Sequence, residues 1–256
     1  MFGFTEVAHK NYENNFLRSV VFQVSFDKND QFVGKANQIK DLFKEDFPRF
    51  NVSKEQGIEL SFNKGTSNVK SVNEGSIINL KSEDGQKSIQ ISDTRLNFTV
   101  SGKAYKCFSD LNSELVKIGE FLELCSIKNV VRLAIRKINI VEFKINDTPT
   151  DVLSFLLNSE LVSYLNAFPN KEHINHSLQV LNYKDNNNYL NLKYGLVIPQ
   201  NPNTTHGQLV IDIDMYKQES IKKEDIVSES KIINSEIFNI FSWLINDNTK
   251  KLLQDG

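Results

Sequence analysis

The sequence predicts an α+β protein of two similar halves that together form one curved, mainly antiparallel sheet backed by long helices. Three observations lead there. Apolar residues alternate at period two in many short runs. Period-3.6 faces occur in only a few longer segments, and each half closes with one of them. The elements read β-α-β-β-β-β-α over residues 1–128 and β-α-β-β-β-α over residues 129–256. No Gly-, Ser- or Pro-rich linker divides the halves near residue 128, so one continuous unit is expected.

The elements follow in chain order. Residues 1–17 are polar and aromatic without a period, which predicts an arm or loop. Ser19 to Phe26 puts Phe22, Val24 and Phe26 on one side with Gln23 and Ser25 opposite, a half-buried strand. Ile39, Leu42, Phe43 and Phe47 make a helix face over Lys35 to Phe47, stopped by Pro48. Gly57 to Phe62 is a strand, and the polar stretch 63–76 with its two glycines reads as a mobile loop. Ile77 to Leu80, Ser88 to Ser92 and Arg95 to Val100 form a meander, the first two joined by Glu83-Asp84-Gly85.

Leu111, Leu115, Ile118, Leu122 and Cys125 define a helix over Ser109 to Cys125, with Ser109 placed to cap it. Asn129 to Phe143 is β-branched and long enough for a central strand. Thr148-Pro149-Thr150-Asp151 predicts a helix start, with a Thr cap, Pro at the first helical position and an acid in the first turn; the helix is expected to run toward Phe168. His173 to Tyr183, Tyr189 to Ile198 and Gln208 to Tyr216 are strands. Ser230 to Ile245 closes the chain as a helix with Ile233, Ile237, Ile240, Phe241 and Leu244 on one face.

Composition excludes several classes. Of the 256 residues, 39% are hydrophobic and 24% charged, with 18 Phe, which excludes a disordered or low-complexity chain. The formal net charge of −2 provides no overall basic field, so any nucleic-acid contact must come from a local patch. Cys107 and Cys125 alone make neither a disulfide framework nor a Cys-rich zinc module. The first twenty residues lack a basic stretch followed by an apolar run, and no run of about 20 apolar residues spans a bilayer. A cytoplasmic protein with no membrane contact is expected.

Motifs for P-loop NTPases, Rossmann dehydrogenases, α/β-hydrolases and zincins are absent. Arg132 and Arg136 lie four apart on one predicted strand, so they share a face about 13 Å apart. Asp212 and Asp214 share a face on another. Pairing of these arginines with these acids is the preferred reading, ahead of anion capture by the arginines or divalent-metal binding by the acids. Glu142-Phe143-Lys144 has half of a nuclease pattern but no partner Asp on a preceding hairpin strand, and reads as a solvated strand edge. His173 and His176 would point to opposite faces of a regular strand. Tyr183, Tyr189 and Tyr194 could line a recognition face or bury their rings with wet hydroxyls.

Six stretches carry a family resemblance. They are FLRSVVFQVSF (16–26), LFKEDFPRF (42–50), SIQISDTRLNFTV (88–100), RLAIRKINI (132–140), QLVIDIDMY (208–216) and SEIFNIFSWLINDNTKKLL (235–253). Together these pieces resemble a sporadically distributed bacterial family of conserved-hypothetical proteins of about this length. The family's most recognisable motif falls on Arg132, Arg136 and Asn139, with Lys137 where the family usually has Tyr. The element order also resembles the duplicated saddle of TATA-box-binding-type folds, a likeness of fold that carries no function. The resemblance implies no established activity, and its patchy distribution suggests phage defence or toxin control.

The expected function is that of a non-catalytic interaction or sensor subunit. It would bind a nearby-encoded partner protein or a phage-derived ligand on the open sheet face or at loop 63–76, with no cofactor and no metal. Arg132, Arg136, Asn139, Asp212 and Asp214 are expected to organise that face. Nucleic-acid binding through the sheet is the alternative, and a metal-dependent nuclease or nucleotidyltransferase the third. A second copy of the chain is a further candidate partner.

Overall fold

The computed structural model describes residues 2–8, 12, 14–63, 66–144, 149–174, 176–197 and 206–254. Its centre is an antiparallel pair, β1 (Leu17–Phe26) against β6 (Asn129–Lys144). On the β1 side follow β5 (Arg95–Ser101), β4 (Lys87–Ile91), β3 (Thr66–Lys81) and β2 (Arg49–Asn63). On the β6 side follow β9 (His206–Lys217), β8 (Asn188–Val197) and β7 (His176–Asp185). A short β10 (Ile221–Lys222) also pairs with β6. All these pairings are antiparallel, and the class is α+β. In each half the first strand stands at the centre and the last strand of the following meander stands beside it, an order compatible with two similar halves.

Period-two patterning decides which face is covered. In β1, Val20, Phe22, Val24 and Phe26 are buried while Ser19, Val21, Gln23 and Ser25 are not. The same alternation holds in β5, where Leu96, Phe98 and Val100 are buried. The buried side packs on α1 (Ala36–Phe43), α2 (Asn112–Leu124) and α5 (Ile226–Leu244), the last lying against β6 and β9. Phe98 meets Phe47 edge to face at 6.1 Å, and Phe47 meets Phe43 at 6.0 Å. Each such fully buried ring contributes about 2–3 kcal/mol of burial. A polar tie crosses the same layer: Lys87 of β4 reaches the buried carboxylate of Glu114 on α2. No helix among the described residues is long and apolar enough to cross a membrane.

The described residues of the arm before β1 (2–8, 12 and 14–16) form no helix or strand, in keeping with its sequence, and they are tied down. The Phe2 amide donates to Glu236 and the Val7 amide to Asn239, and Phe4 packs edge-on to Trp243 at 5.1 Å.

Several elements differ from expectation. The stretch 63–76 is not a loop: Thr66 to Lys81 is one strand, paired in register with β2 from Asn63↔Thr66 to Arg49↔Lys81 with a single shift at Glu55. Lys64 and Gly65 of that stretch lie outside the described residues. Ser109 caps nothing. It sits in a 3-10 turn (Phe108–Leu111), its hydroxyl 3.0 Å from the Cys107 sulfur, and α2 starts at Asn112. Thr148 lies outside the described residues. The helix after it breaks into α3 (Pro149–Leu156), α4 (Ser159–Val162) and a 3-10 turn (Ser163–Ala167), because Asn158 leaves helical backbone and accepts from the Glu160 amide. His173 belongs to a 3-10 turn and His176 begins β7, so the two histidines share no strand. The closing helix starts at Ile226, four residues earlier than expected, and α6 (Asp247–Gln254) follows it.

Asn246 fastens that last segment. Its side-chain NH2 donates to the carbonyls of Phe155 at 2.7 Å and Leu157 at 3.2 Å, and its oxygen accepts from the Thr249 amide at 3.0 Å. It therefore caps α6 and satisfies the carbonyl end of α3 together. Asn246→Ala is expected to lower stability by about 1–2 kcal/mol in urea unfolding. An unchanged midpoint would contradict that role.

Candidate functional site

Register lines up one cross-sheet row on the uncovered face. It runs Asn51, Asn79, Gln90, Asn97 and Gln23 across β2, β3, β4, β5 and β1. It continues through Ala134, Tyr216, Tyr189 and Lys184 across β6, β9, β8 and β7. The N-terminal half thus presents amides and the C-terminal half presents aromatic rings, with the small Ala134 between.

The amide side is hydrogen-bonded. Asn79 donates to Ser53 at 3.0 Å, Gln90 donates to Asn79 at 3.3 Å, and Gln23 donates to Asn97 at 2.7 Å. The Gln23 oxygen accepts from Arg132, which links this network to the arginines. Beside it a shallow groove of about 460 Å³ is lined by Val21, Gln23, Asn79, Gln90, Asn97 and Arg136.

The aromatic side is a stack. Tyr189 and Tyr216 lie parallel (2°) with centroids 4.8 Å apart. The Arg132 guanidinium sits 4.1 Å over the Tyr216 ring, and the Lys184 ammonium 5.3 Å over the Tyr189 ring. Each ring therefore has one π face against the other ring and one against a cation. Tyr183 and Tyr194 do not join this face, since both are in phase with the inward Leu181 and Leu192.

The expected arginine–aspartate pairing is present. Arg136 grips Asp212 through Nε and NH2, each 2.7 Å from a carboxylate oxygen. Arg132 lies 3.6 Å from Asp214, which also accepts from Asn191 at 3.2 Å. Asp212 is buried while the Arg136 side chain remains 44% exposed. The fork-on-carboxylate geometry holds Arg136 even more firmly protonated than usual, through its hydrogen bond to Asp212. Both acids are thus engaged by protein donors. Glu142 and Lys144 fall at the end of β6 opposite Gln208 and His206, both exposed, as a strand edge would be. No group of three or more potential metal ligands occurs among the described residues.

Asn139 is the residue that the structure separates from the others. It pairs with Ile211, three positions from Arg136, so it points to the helix-covered side, where it is buried and donates to the Ile211 carbonyl at 3.4 Å. Lys137 accompanies it there, a lysine in phase with Leu133 and Ile135. Its ammonium donates to the Tyr105 hydroxyl at 3.2 Å and lies 5.0 Å from that ring's centroid. Burial pulls its pKa down to about 8 and pushes that of the Tyr105 phenol up. As a whole residue Lys137 keeps some accessible surface because part of it lines a cavity between sheet and helices. The sequence signal was available in the alternation Leu133, Ile135, Lys137, Asn139, which sets two polar residues on an apolar face.

Compared with known proteins, the chain matches no family model and no curated protein.

Proposed function

We propose that the protein is a non-catalytic interaction or sensor subunit that binds a partner protein on its uncovered sheet face. The observation that carries this reading is the row of side chains crossing nine strands, with seven of the nine side chains held by hydrogen bonds or by ring and cation stacking, and flanked by a groove. Donors and acceptors already held by their neighbours lose little freedom on binding, which favours recognition over chemistry. The acids that would hold a metal are instead held by arginines. Phage defence or toxin control is the setting we propose, on the sequence resemblance alone.

Nucleic-acid binding is the second reading, and one observation favours it. Among the side chains described on this face, Arg49, Lys81, Arg95, Arg132, Arg136, Lys144, Lys184 and Lys193 outnumber the carboxylates Glu142, Asp212 and Asp214, although the whole chain is net negative. Against it, the central arginines are paired with aspartates, and the tyrosine π faces are taken up by cations and by each other, leaving little for a base to stack on.

The test is co-elution of the protein with the product of the adjacent gene, using wild type, Val21→Arg and Gln90→Trp. Both substitutions project into the groove and leave the core alone. Loss of the complex in both, with melting temperatures unchanged, is the expected result. Full binding by both variants would refute the face. Capture of a single-stranded oligonucleotide that weakens steeply with salt would transfer the case to the second reading.

A further inference from the structure

A cavity of about 90 Å³ lies behind the sheet, on the side opposite the proposed binding face. Its walls come from separate parts of the chain: Tyr12 and Phe16 of the arm, Tyr105 after β5, Lys137 and Asn139 of β6, and Phe241 of α5. That space is several times what one water requires. Its lining is mostly apolar, with polar groups from the arm (Tyr12, Asn15), from Tyr105 to Cys107, and from Lys137 and Asn139 of β6.

The ammonium of Lys137 is the unusual feature. An ammonium carries three donors. Among the described residues it has one hydrogen-bond partner, the Tyr105 oxygen, and no carboxylate within ion-pair distance. A buried cation in that state is costly to keep charged, and the common remedy is an anion beside it. Among the described residues its neighbours in the cavity supply none: Tyr12, Tyr105, Lys106 and Cys107 are the other titratable ones in the wall, and burial holds the Tyr12 and Tyr105 phenols toward their neutral forms.

We propose that this cavity is a binding site for a small monocarboxylate, whose carboxylate pairs with the Lys137 ammonium beside the Tyr105 hydroxyl and whose short apolar body lies among Phe16, Ile237 and Phe241. Positive charge with spare donors at one end and hydrocarbon at the other select for an amphipathic anion over a sugar, a nucleotide or a dication. The small volume selects a short chain or a single ring. Such a ligand would join the arm, α5 and the central strand, and so give a sensor an input separate from its docking face.

The experiment uses the full chain and straight-chain acids from acetate to octanoate, with benzoate. Each acid is compared with the alcohol of the same skeleton by calorimetry and thermal shift at pH 7. One or more acids are expected to bind saturably at least tenfold tighter than the matched alcohol. Lys137→Met and Lys137→Gln are expected to abolish that preference, and Tyr105→Phe to weaken binding several-fold. With wild type alone, affinity for the acid is expected to fall about tenfold per pH unit above pH 8, as the ammonium loses its proton. No saturable binding of any acid at about 10 mM, a concentration that already reaches very weak affinities, would overturn the proposal. So would equal affinity for acid and alcohol, or binding independent of pH between 7 and 10. Loss of the docking complex in the groove variants with acid binding intact would leave the two sites distinct.

Discussion

Arg136→Ala is expected to lower the melting temperature by about 5 °C or more, and Asp212→Asn by clearly less. Asp212 is the buried member of the pair, its side chain 10% exposed, whereas the Arg136 side chain is 44% exposed. Removing the arginine strands a desolvated carboxylate that has lost both of its 2.7 Å donors. Removing the charge from the aspartate leaves a guanidinium that water can still reach. Breaking a fully buried pair costs about 3–5 kcal/mol. Water entering at the exposed arginine side brings the expected loss for Arg136→Ala to about 2–3 kcal/mol. At about 2–4 °C per kcal/mol for a chain of this size, that gives the stated shift. The double replacement Arg136→Met with Asp212→Leu is expected to restore most of the loss, because neither charge is then left alone. Equal losses from the two single variants would show that burial does not set the asymmetry.

Lys137→Met is expected to stabilise the protein at pH 7 and to lose that advantage by about pH 10.5. In the unfolded chain the lysine keeps its ordinary value of 10.5, and in the fold it falls to about 8 because of burial. Between those values the unfolded chain holds a proton that the folded chain lacks, so wild-type stability rises with pH across that window. Below pH 8 the penalty is present in full, on the order of 3 kcal/mol. Methionine keeps the unbranched shape but gives up the hydrogen bond to Tyr105, so the net gain at pH 7 is expected to be about 1–2 kcal/mol. Tyr12, Tyr105, Lys106 and Cys107 line the same cavity in both proteins, so the difference between the two urea curves at pH 7 and pH 10 isolates Lys137. Parallel curves at the two pH values would contradict the enclosed ammonium.

The arginine–aspartate pairing was legible because parity within a strand is a local property. Residues 132 and 136 must share a face, as must 212 and 214, and only the adjacency of β6 and β9 had to come from the fold. Asn139 was misplaced by the same rule left unapplied: an odd offset from Arg136 sends it to the other side. The cross-sheet row could not be read at all, since it depends on nine strands being in register at once. The first part of β3 was missed for a physical reason. Only Ile78 to Lys81 of β3 pair with β4; among the described residues, the part of β3 before Ile78 pairs with β2 alone. With no third strand beside it, the stretch Thr66 to Ser76 carries none of the apolar alternation seen in β1 or β5. The break at Asn158 was masked by the apolar run Leu153 to Leu157, which reads as one long helix face until a single cap residue interrupts it.

The seam between β1 and β6 has a consequence for how the chain is made. In the fold β1 is paired to β5 on one side and to β6 on the other, and without β6 that second edge would display unused amides and carbonyls beside Val20, Phe22 and Val24. The strand that closes it begins only at Asn129. A chain arrested before β6 therefore carries an adhesive border at its middle, and two such nascent chains would join there edge to edge.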